Sequence, residues 1–304
     1  PLSGREGEYL YYNVPLPPLE EGAMGWRKFP NHLFFLTLSS HHTAVISFED
    51  LLRQYDYTFP KEQIAQAPCS PRDAARLLVY KRTSGMMTHS TFRELPDFLP
   101  KNAVLVLNET KVVPARLTVK KSTGGNVPLL ILEHHGYAVR ALAPKKLQIG
   151  EVLRINSTLH FAVTGHDGQA WLLTSNIPAS EFAHVLDRYG SMPLPPYIKH
   201  TSLTAKQQRE QYQTVFAKTP GSIAAPTASL HFTNRLLKKL EEHGIQIVRI
   251  TLHVHLGTFA SLTEEQWKRQ ELHEESYAIS PAAVRILEKA KKENRPVLAV
   301  GTTV

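Results

Sequence analysis

Ala103-Val104-Leu105-Val106-Leu107-Asn108-Glu109-Thr110-Lys111-Val112-Val113-Pro114-Ala115-Arg116 is the stretch on which the fold turns. Its first five residues hold no charge, no glycine and no proline, which predicts a buried strand. At Asn108 the run becomes polar, and beyond Arg116 the texture of the chain changes. From 117 to 174 the sequence breaks into short β-prone stretches at Leu129–Leu132, Tyr137–Leu142, Val152–Ile155, His160–Thr164 and Ala170–Leu173. Gly124-Gly125, His135-Gly136, Ile149-Gly150 and Asp167-Gly168 punctuate them. Short strands at a spacing of about 8–12 residues with turn signals between them predict a small antiparallel barrel or sandwich.

Upstream of the key run, Arg76–Tyr80 reads as a second buried strand. Downstream of the β-rich insert, helical patterns return around Ser180–Arg188 and Thr204–Gln211, separated by the proline-rich Met192–Tyr197. A clearer helix starts at Thr233, whose hydroxyl can cap it, buries Leu236, Leu237 and Leu240 on one face and stops at Gly244. In the following strand-like run Ile250, Leu252 and Val254 face one way, while Arg249, Thr251, His253 and His255 face the other. Ser280-Pro281 opens a last helix with a basic final turn, and Val297–Val300 is a strand. The predicted fold is α/β, with a mixed sheet in a barrel-like main domain and a small antiparallel β-barrel domain inserted into it. The boundaries are 47–116 and 180–304 for the main domain and 117–179 for the inserted one.

The chain has 304 residues, 42% of them hydrophobic and 20% charged, too apolar for a disordered protein. No run reaches the roughly 20 apolar residues of a membrane span. The single cysteine, Cys69, excludes an internal disulfide and every cysteine-rich zinc site, which suits a reducing, cytoplasmic setting. A formal charge of +8 favours a polyanionic partner. Residues 1–46 differ from the rest in their prolines and scarce charges. Trp26-Arg27-Lys28 ahead of Leu33-Phe34-Phe35-Leu36 mimics a secretory signal, but Thr37 interrupts the run and no small-residue cleavage site follows. They are expected to be a poorly structured extension.

Four segments offer chemistry. Gly221-Ser222-Ile223-Ala224-Ala225-Pro226-Thr227-Ala228-Ser229-Leu230-His231-Phe232-Thr233 runs small residues into a helix start, where a ligand can approach the backbone and free N–H groups attract an anion. A tight packing turn explains its glycine and alanines equally well, but gives no role to His231. His253-Val254-His255 leads into Leu256-Gly257-Thr258-Phe259 at the carboxyl end of a strand, where α/β sheets place their sites. In His273-Glu274-Glu275-Ser276-Tyr277, an extended backbone would put His273, Glu275 and Tyr277 on one face; a helix would scatter them. Asn108 and Arg116 are candidate orienting or anion-binding groups at the same rim. Three histidines invite a zinc hypothesis, although with 15 histidines a chance His-x-His is unsurprising. No Walker loop, Gly-x-Ser-x-Gly elbow or Rossmann fingerprint is present.

Taken in order, Asp56-Tyr57 to Gln66, Pro71-Arg72-Asp73 with Arg76-Leu77-Leu78-Val79, the run ending at Arg116, Pro193 to Ile198, Tyr212-Gln213-Thr214-Val215, Gly221–Thr233, Thr251–Phe259 and Val300-Gly301-Thr302-Thr303 form a recognisable series. Over about residues 48–304 it resembles the S-adenosylmethionine:tRNA ribosyltransferase-isomerase family of queuosine biosynthesis. The resemblance implies transfer and isomerisation of the ribosyl part of S-adenosylmethionine onto 7-aminomethyl-7-deazaguanine at the tRNA wobble position, giving epoxyqueuosine with release of adenine and methionine. S-adenosylmethionine would be consumed as a substrate, with no cofactor or metal, and tRNA would be the partner of a cytoplasmic monomer.

That reaction needs a base beside a sulfonium, a proton for departing adenine and a neutral amine. His231, His253, His273 and Glu275 are the expected catalytic residues. Arg72, Asn108, Thr110, Arg116, Gly221, Ser222, Thr227, Thr258 and Tyr277 are the expected substrate-binding ones. Lys145, Lys146 and Arg154, with Lys120 and Lys121 nearby, make the inserted domain the expected tRNA surface. The chain departs from the family at Ser229 and His255, where glycine is usual, at Gln270, Ser276 and Pro128, and by ending at Val304, so the main domain is expected to be incomplete. Two rival expectations are a tRNA-binding protein without catalysis and a metal-dependent hydrolase using His253, His255 and His273.

Overall fold

In a computed structural model, residues 27–29, 47–58, 60–144, 146–255, 262–269, 271–272 and 274–304 are described. The chain runs through β1 (Arg27–Phe29), α1 (Phe48–Tyr55), the hairpin β2 (Arg76–Lys81) and β3 (Met86–Thr91), α2 (Leu95–Phe98), β4 (Val104–Asn108) and β5 (Thr110–Val112). Then come β6 (Arg116–Lys121), β7 (Asn126–His135), β8 (Ala138–Leu142), β9 (Val152–Arg154), β10 (His160–Asp167) and β11 (Ala170–Ser175). After them follow α3 (Ala179–Tyr189), α4 (Ala205–Gln211), β12 (Thr219–Ser222), α5 (Asn234–Glu242), β13 (Gln246–Leu252), α6 (Glu264–Arg269), β14 (Glu275–Ala278), α7 (Pro281–Lys292) and β15 (Val297–Ala299).

β4 is an inner strand of a five-stranded sheet in the order β1-β14-β13-β4-β15. β13 and β15 flank it in parallel, and β14 turns back antiparallel on β13. All five β4 residues are buried because both faces of the strand are covered. Leu105 and Leu107 pack with Phe232 and with Leu236, Leu237 and Leu240 of α5, whereas Val104 and Val106 pack with Val248, Ile250 and Ala283 and Ala290 of α7. Parallel strands between two helical layers therefore read as unbroken apolar runs, not as alternation. Beyond Glu109 the strand continues as β5, which pairs in parallel with β12. β12 in turn leads to Ile223, whose N–H donates to Val254 O at 2.9 Å just past the end of β13. The strand ends thus curl around a small space between β5, β12 and the end of β13.

The inserted β-rich segment is a closed barrel in the order β10-β11-β8-β7-β6-β9. Its interior alternates as the pleat requires, with Leu117, Val119, Val127, Leu129, Val139, Ala141, Leu153, Phe161, Val163 and Leu173 inside. Phe182, Val185 and Leu186 of α3 join this core, as does Ile223 from the loop after β12. The first barrel strand, Arg116–Lys121, and the short β5 and β12 carry too few residues or too many cations to stand out as strands in the sequence.

One expectation needs correcting. Arg76–Tyr80 is a strand, but not a buried one: among the described residues β2 pairs only with β3, and Leu77 packs toward the core while Leu78 and Tyr80 are exposed. Thr251 and His253, on the polar side of the run that becomes β13, are both buried. Of residues 1–46, only Arg27–Phe29 fall among the described residues, as the strand that pairs with β14.

Candidate active site

The site is built where β4, β12 and β13 end. Asn108, fully buried at the end of β4, ties three segments together. Its Oδ1 accepts from Thr110 N–H at 3.0 Å and Leu252 N–H at 3.1 Å, and its Nδ2 donates to Leu252 O at 2.9 Å and Thr303 O at 3.1 Å. An amide can make four such bonds, so Asn108 has none left for a ligand and acts as a clamp instead of the orienting contact the sequence suggested. The clamp turns Thr110 toward β13, where its Oγ1 is hydrogen-bonded to Nδ1 of His253 at 2.7 Å.

On the other side of the imidazole stands Gly221, with φ +146°; a Cβ there would lie 2.8 Å from Cε1 and Nε2 of His253. Glycine is required both by this backbone conformation and by the close approach of the ring. The next residue, Ser222, is fully buried. Its Oγ lies 2.8 Å from Ala224 O and accepts from Val254 N–H at 2.9 Å, so it ties the loop to the chain beyond β13. Burial, and then neighbouring His255, push His253 down to about 4, so the imidazole is neutral at physiological pH. Burial raises the Glu275 carboxyl, although His255 N–H, which donates to its Oε1 at 3.3 Å, pulls the other way. A histidine pushed down and a carboxyl pushed up mark the same desolvated surroundings. Glu275 and Tyr277 lie on extended β14, as the strand alternative for that segment requires, and Tyr277 stands in register with Leu252.

The loop from Gly221 continues through a 3-10 turn at Thr227–His231 to α5. Thr233 caps that helix by accepting from Leu236 N–H at 3.1 Å, as its sequence predicted. The anion expected at this helix start is the protein's own: buried Asp73 accepts from Thr233 Oγ1 and from Arg235, each at 3.1 Å. Burial raises the Asp73 carboxyl, but these two hydrogen bonds outweigh it and hold the group below its ordinary range.

The end of the same loop lines a cavity of about 310 Å³, together with Gln66, Cys69, Arg72, Leu194, Tyr197 and Tyr212. That volume falls within the usual range for small-ligand sites. Thr227, Leu230 and His231 form one wall. His231 leans on Phe92 with ring centroids 5.3 Å apart, and burial and then Arg72 lower its pKa. Arg72 spans the gap between loop and helix, donating to Gln213 O at 2.5 Å, Glu210 O at 3.2 Å, Gln211 O at 3.3 Å and Leu230 O at 3.4 Å. It staples the carbonyl end of α4 to the loop, and burial lowers its pKa. Burial also pushes the Tyr212 phenol up to about 12.

The expected residues therefore divide. Thr110, Gly221, Ser222 and His253 gather at the strand ends; Glu275, on β14, meets His255 N–H; Arg72, Thr227 and His231 line the cavity. Arg116 is at the root of the barrel, bonded to Leu194 O at 3.3 Å and bridged to Ser191. Thr258, His273 and Lys145 lie outside the described residues. Among the described residues no group of three or more His, Cys, Asp or Glu is close enough to hold a metal ion, and His253 and His255 stand with ring centroids 6.3 Å apart. On the barrel, Lys146 and Arg154 are exposed, and Arg154 is the register partner of exposed Lys120. Lys121 is different: its ammonium is 3.0 Å from Glu151 and largely covered, so its charge is neutralised.

Sequence reasoning passed over Tyr212, Gln213 and Asp73 as site residues. Gln213 pairs edge-on with Val112, accepting from its N–H at 3.0 Å and donating to its carbonyl at 2.7 Å. An aromatic and an amide directly after a wholly polar helix were the available signal.

Fold and site define a class: an α/β enzyme with a desolvated polar cluster at its strand ends, a ligand-sized cavity and an inserted β-barrel. Residues 52–304 match the family described as queuosine biosynthesis protein. The chain belongs to that family, the S-adenosylmethionine:tRNA ribosyltransferase-isomerases. It is 45% identical over 255 residues to the S-adenosylmethionine:tRNA ribosyltransferase-isomerase of Rubrobacter xylanophilus, covering 83% of this chain and 72% of the relative. With the protein of the same name from Carboxydothermus hydrogenoformans it shares 39% over 259 residues, covering 83% and 75%. A solved structure described as an S-adenosylmethionine tRNA ribosyltransferase from Thermotoga maritima is 25% identical, with a TM-score of 0.36, over 81% of this chain and 68% of that one. Among the described residues no helix is long and apolar enough to cross a membrane.

Proposed function

We propose that the protein acts in the cytoplasm as a monomer, moving the ribosyl part of S-adenosylmethionine onto 7-aminomethyl-7-deazaguanine at the tRNA wobble position. There it isomerises to the epoxycyclopentanediol of epoxyqueuosine, and adenine and methionine leave; S-adenosylmethionine is the substrate and no further cofactor takes part. The observation that carries this reading is a single loop. At its first residue, Gly221, it contacts His253, and at its end, through Thr227 and His231, it lines the cavity.

The chemistry follows from the environments. The proton transfers, away from the carbon beside the sulfonium and onto departing adenine, fall to the set of His231, His253, His273 and Glu275. His231, neutral in the cavity wall, offers one donor and one acceptor to the edge of a purine. Desolvation also favours the uncharged form of the attacking amine. Thr110 and Asn108 position His253, Gly221 and Ser222 hold the loop against it, and Arg72 holds the cavity wall. His273, Thr258 and Tyr277 complete the proposed set, with Lys145, Lys146 and Arg154 on the barrel as cations for the tRNA backbone.

The test is incubation of the purified protein with S-adenosylmethionine and tRNA bearing the aminomethyl precursor, with chromatographic measurement of adenine. Stoichiometric release is expected, and His253→Ala or His231→Ala should slow it by about 10²-fold or more, the usual worth of a proton-transfer group. Folded protein that releases no adenine overturns the reading.

A further inference from the structure

The β2–β3 hairpin stands apart from both parts of the site. Its inner face meets the core through Leu77. By register, Leu78 lies opposite His89 and Tyr80 opposite Met87, so these four side chains share the outer face. Leu78 is 56% exposed, Tyr80 57% and Met87 65%, an apolar and aromatic surface on a strand pair that has no third strand among the described residues. Exposed apolar patches of this kind mark interaction surfaces. Its own charges have one sign: Arg76, Lys81 and Arg82 are exposed, and no Asp or Glu occurs between Asp73 and Glu94, whose carboxylate accepts from Ser90 and Thr91 at the end of β3.

We infer that this outer face is a docking surface for single-stranded RNA, namely the anticodon loop of the tRNA, an inference that rests on the function proposed above. The occupant follows from the chemistry of the face. Flat and polarizable side chains, Tyr80, His89 and Met87, offer stacking surfaces to splayed bases, and the flanking guanidinium and ammonium groups track the phosphates between them. A hairpin whose own residues carry +3 and no carboxylate suits a polyanion better than the mixed charge of an ordinary protein surface. On the barrel the cations are mixed with carboxylates, Lys121 bonded to Glu151 and Arg140 to Glu133 and Asp167, while Lys120, Lys146 and Arg154 are exposed.

The experiment measures binding of the anticodon stem-loop, and of whole tRNA, by the complete chain at several salt concentrations. Tyr80→Ala should weaken binding about tenfold, the loss of one stacked base, while Tyr80→Phe keeps near wild-type affinity. Replacing Arg76, Lys81 and Arg82 together by alanine should lower the slope of log K against log salt by about 2. In the adenine assay these variants should raise KM for tRNA and leave kcat in place. All four positions are exposed, and far-UV circular dichroism checks that the fold is kept. If the wild type binds and modifies tRNA while the hairpin variants match it in affinity and slope, the docking inference falls and the proposed function stands. If the hairpin substitutions change only the sedimentation behaviour, the face joins copies of the chain and the inference falls as well. A folded wild type that neither binds tRNA nor releases adenine overturns both.

Discussion

Replacing Gly221 by alanine should uncouple the loop from the buried histidine. The added Cβ would stand 2.8 Å from Cε1 and Nε2 of His253 and 3.0 Å from Cδ2, well inside contact distance. The ring has little room to yield, because it is 6% exposed and its Nδ1 is held by Thr110 Oγ1 at 2.7 Å. Overpacking of a rigid site costs about 1–3 kcal/mol, and an L side chain at a positive φ about 1–2 kcal/mol more. A loss of about 3 kcal/mol is therefore expected, about a hundredfold in the folding equilibrium. Urea unfolding with an unchanged m-value measures it. The same displacement should break the Thr110 bond and let water reach the imidazole. His253 would then titrate closer to its ordinary value than to about 4, which histidine NMR resonances report. Adenine release should fall with it. A variant that loses less than about 0.5 kcal/mol and leaves the His253 titration unmoved would refute the reasoning, since surface-like tolerance is incompatible with such a contact.

Three further outcomes follow from other parts of the structure. His253 is held near 4 in the folded chain against an ordinary 6.5. Its contribution is full above about pH 6.5 and lost as pH falls toward about 4, by up to about 3 kcal/mol at 1.4 kcal/mol per unit. Raised Glu275 opposes this, because its contribution is present at low pH and lost as pH rises through its folded value; His253→Asn should flatten the acid decline in urea unfolding measured across that window. Asn108→Leu keeps the volume but strands the partners of four buried hydrogen bonds, so a loss of at least about 4 kcal/mol is expected, with faster hydrogen exchange at Thr110 and Leu252. Ser229 is fully buried and its hydroxyl has no partner, so Ser229→Ala should raise stability by about 1 kcal/mol, read as a higher urea midpoint.

Much of the fold was legible because its signals are local. The unbroken Val104–Leu107 run, the Thr233 and Ser280 caps, and the turn residues between the barrel strands each act over a few residues, and the elements appear where they were expected. Short strands were missed for the opposite reason. β5 and β12 are three and four residues long and exist only because they pair with each other. The β2 error has the same origin: Leu78 and Val79 look identical in sequence whether a helix covers them or nothing does.

The site divides along the same line. The sequence by itself determined which side chains are on offer to the proposed site, His231, His253, Glu275, Arg72 and the glycine of the loop, since side-chain type is a local property. Only the tertiary structure decided what each does. Asn108 became a clamp because two other strands end beside it, and Arg72 a staple because the carbonyls of Glu210, Gln211, Gln213 and Leu230 converge on it. The helix start that looked open to an anion is filled by Asp73, 160 positions away in the chain from Thr233. Burial decided the protonation states, pushing His253 down and Glu275 up, because desolvation is a property of everything packed around a group and is carried by no single segment of the chain.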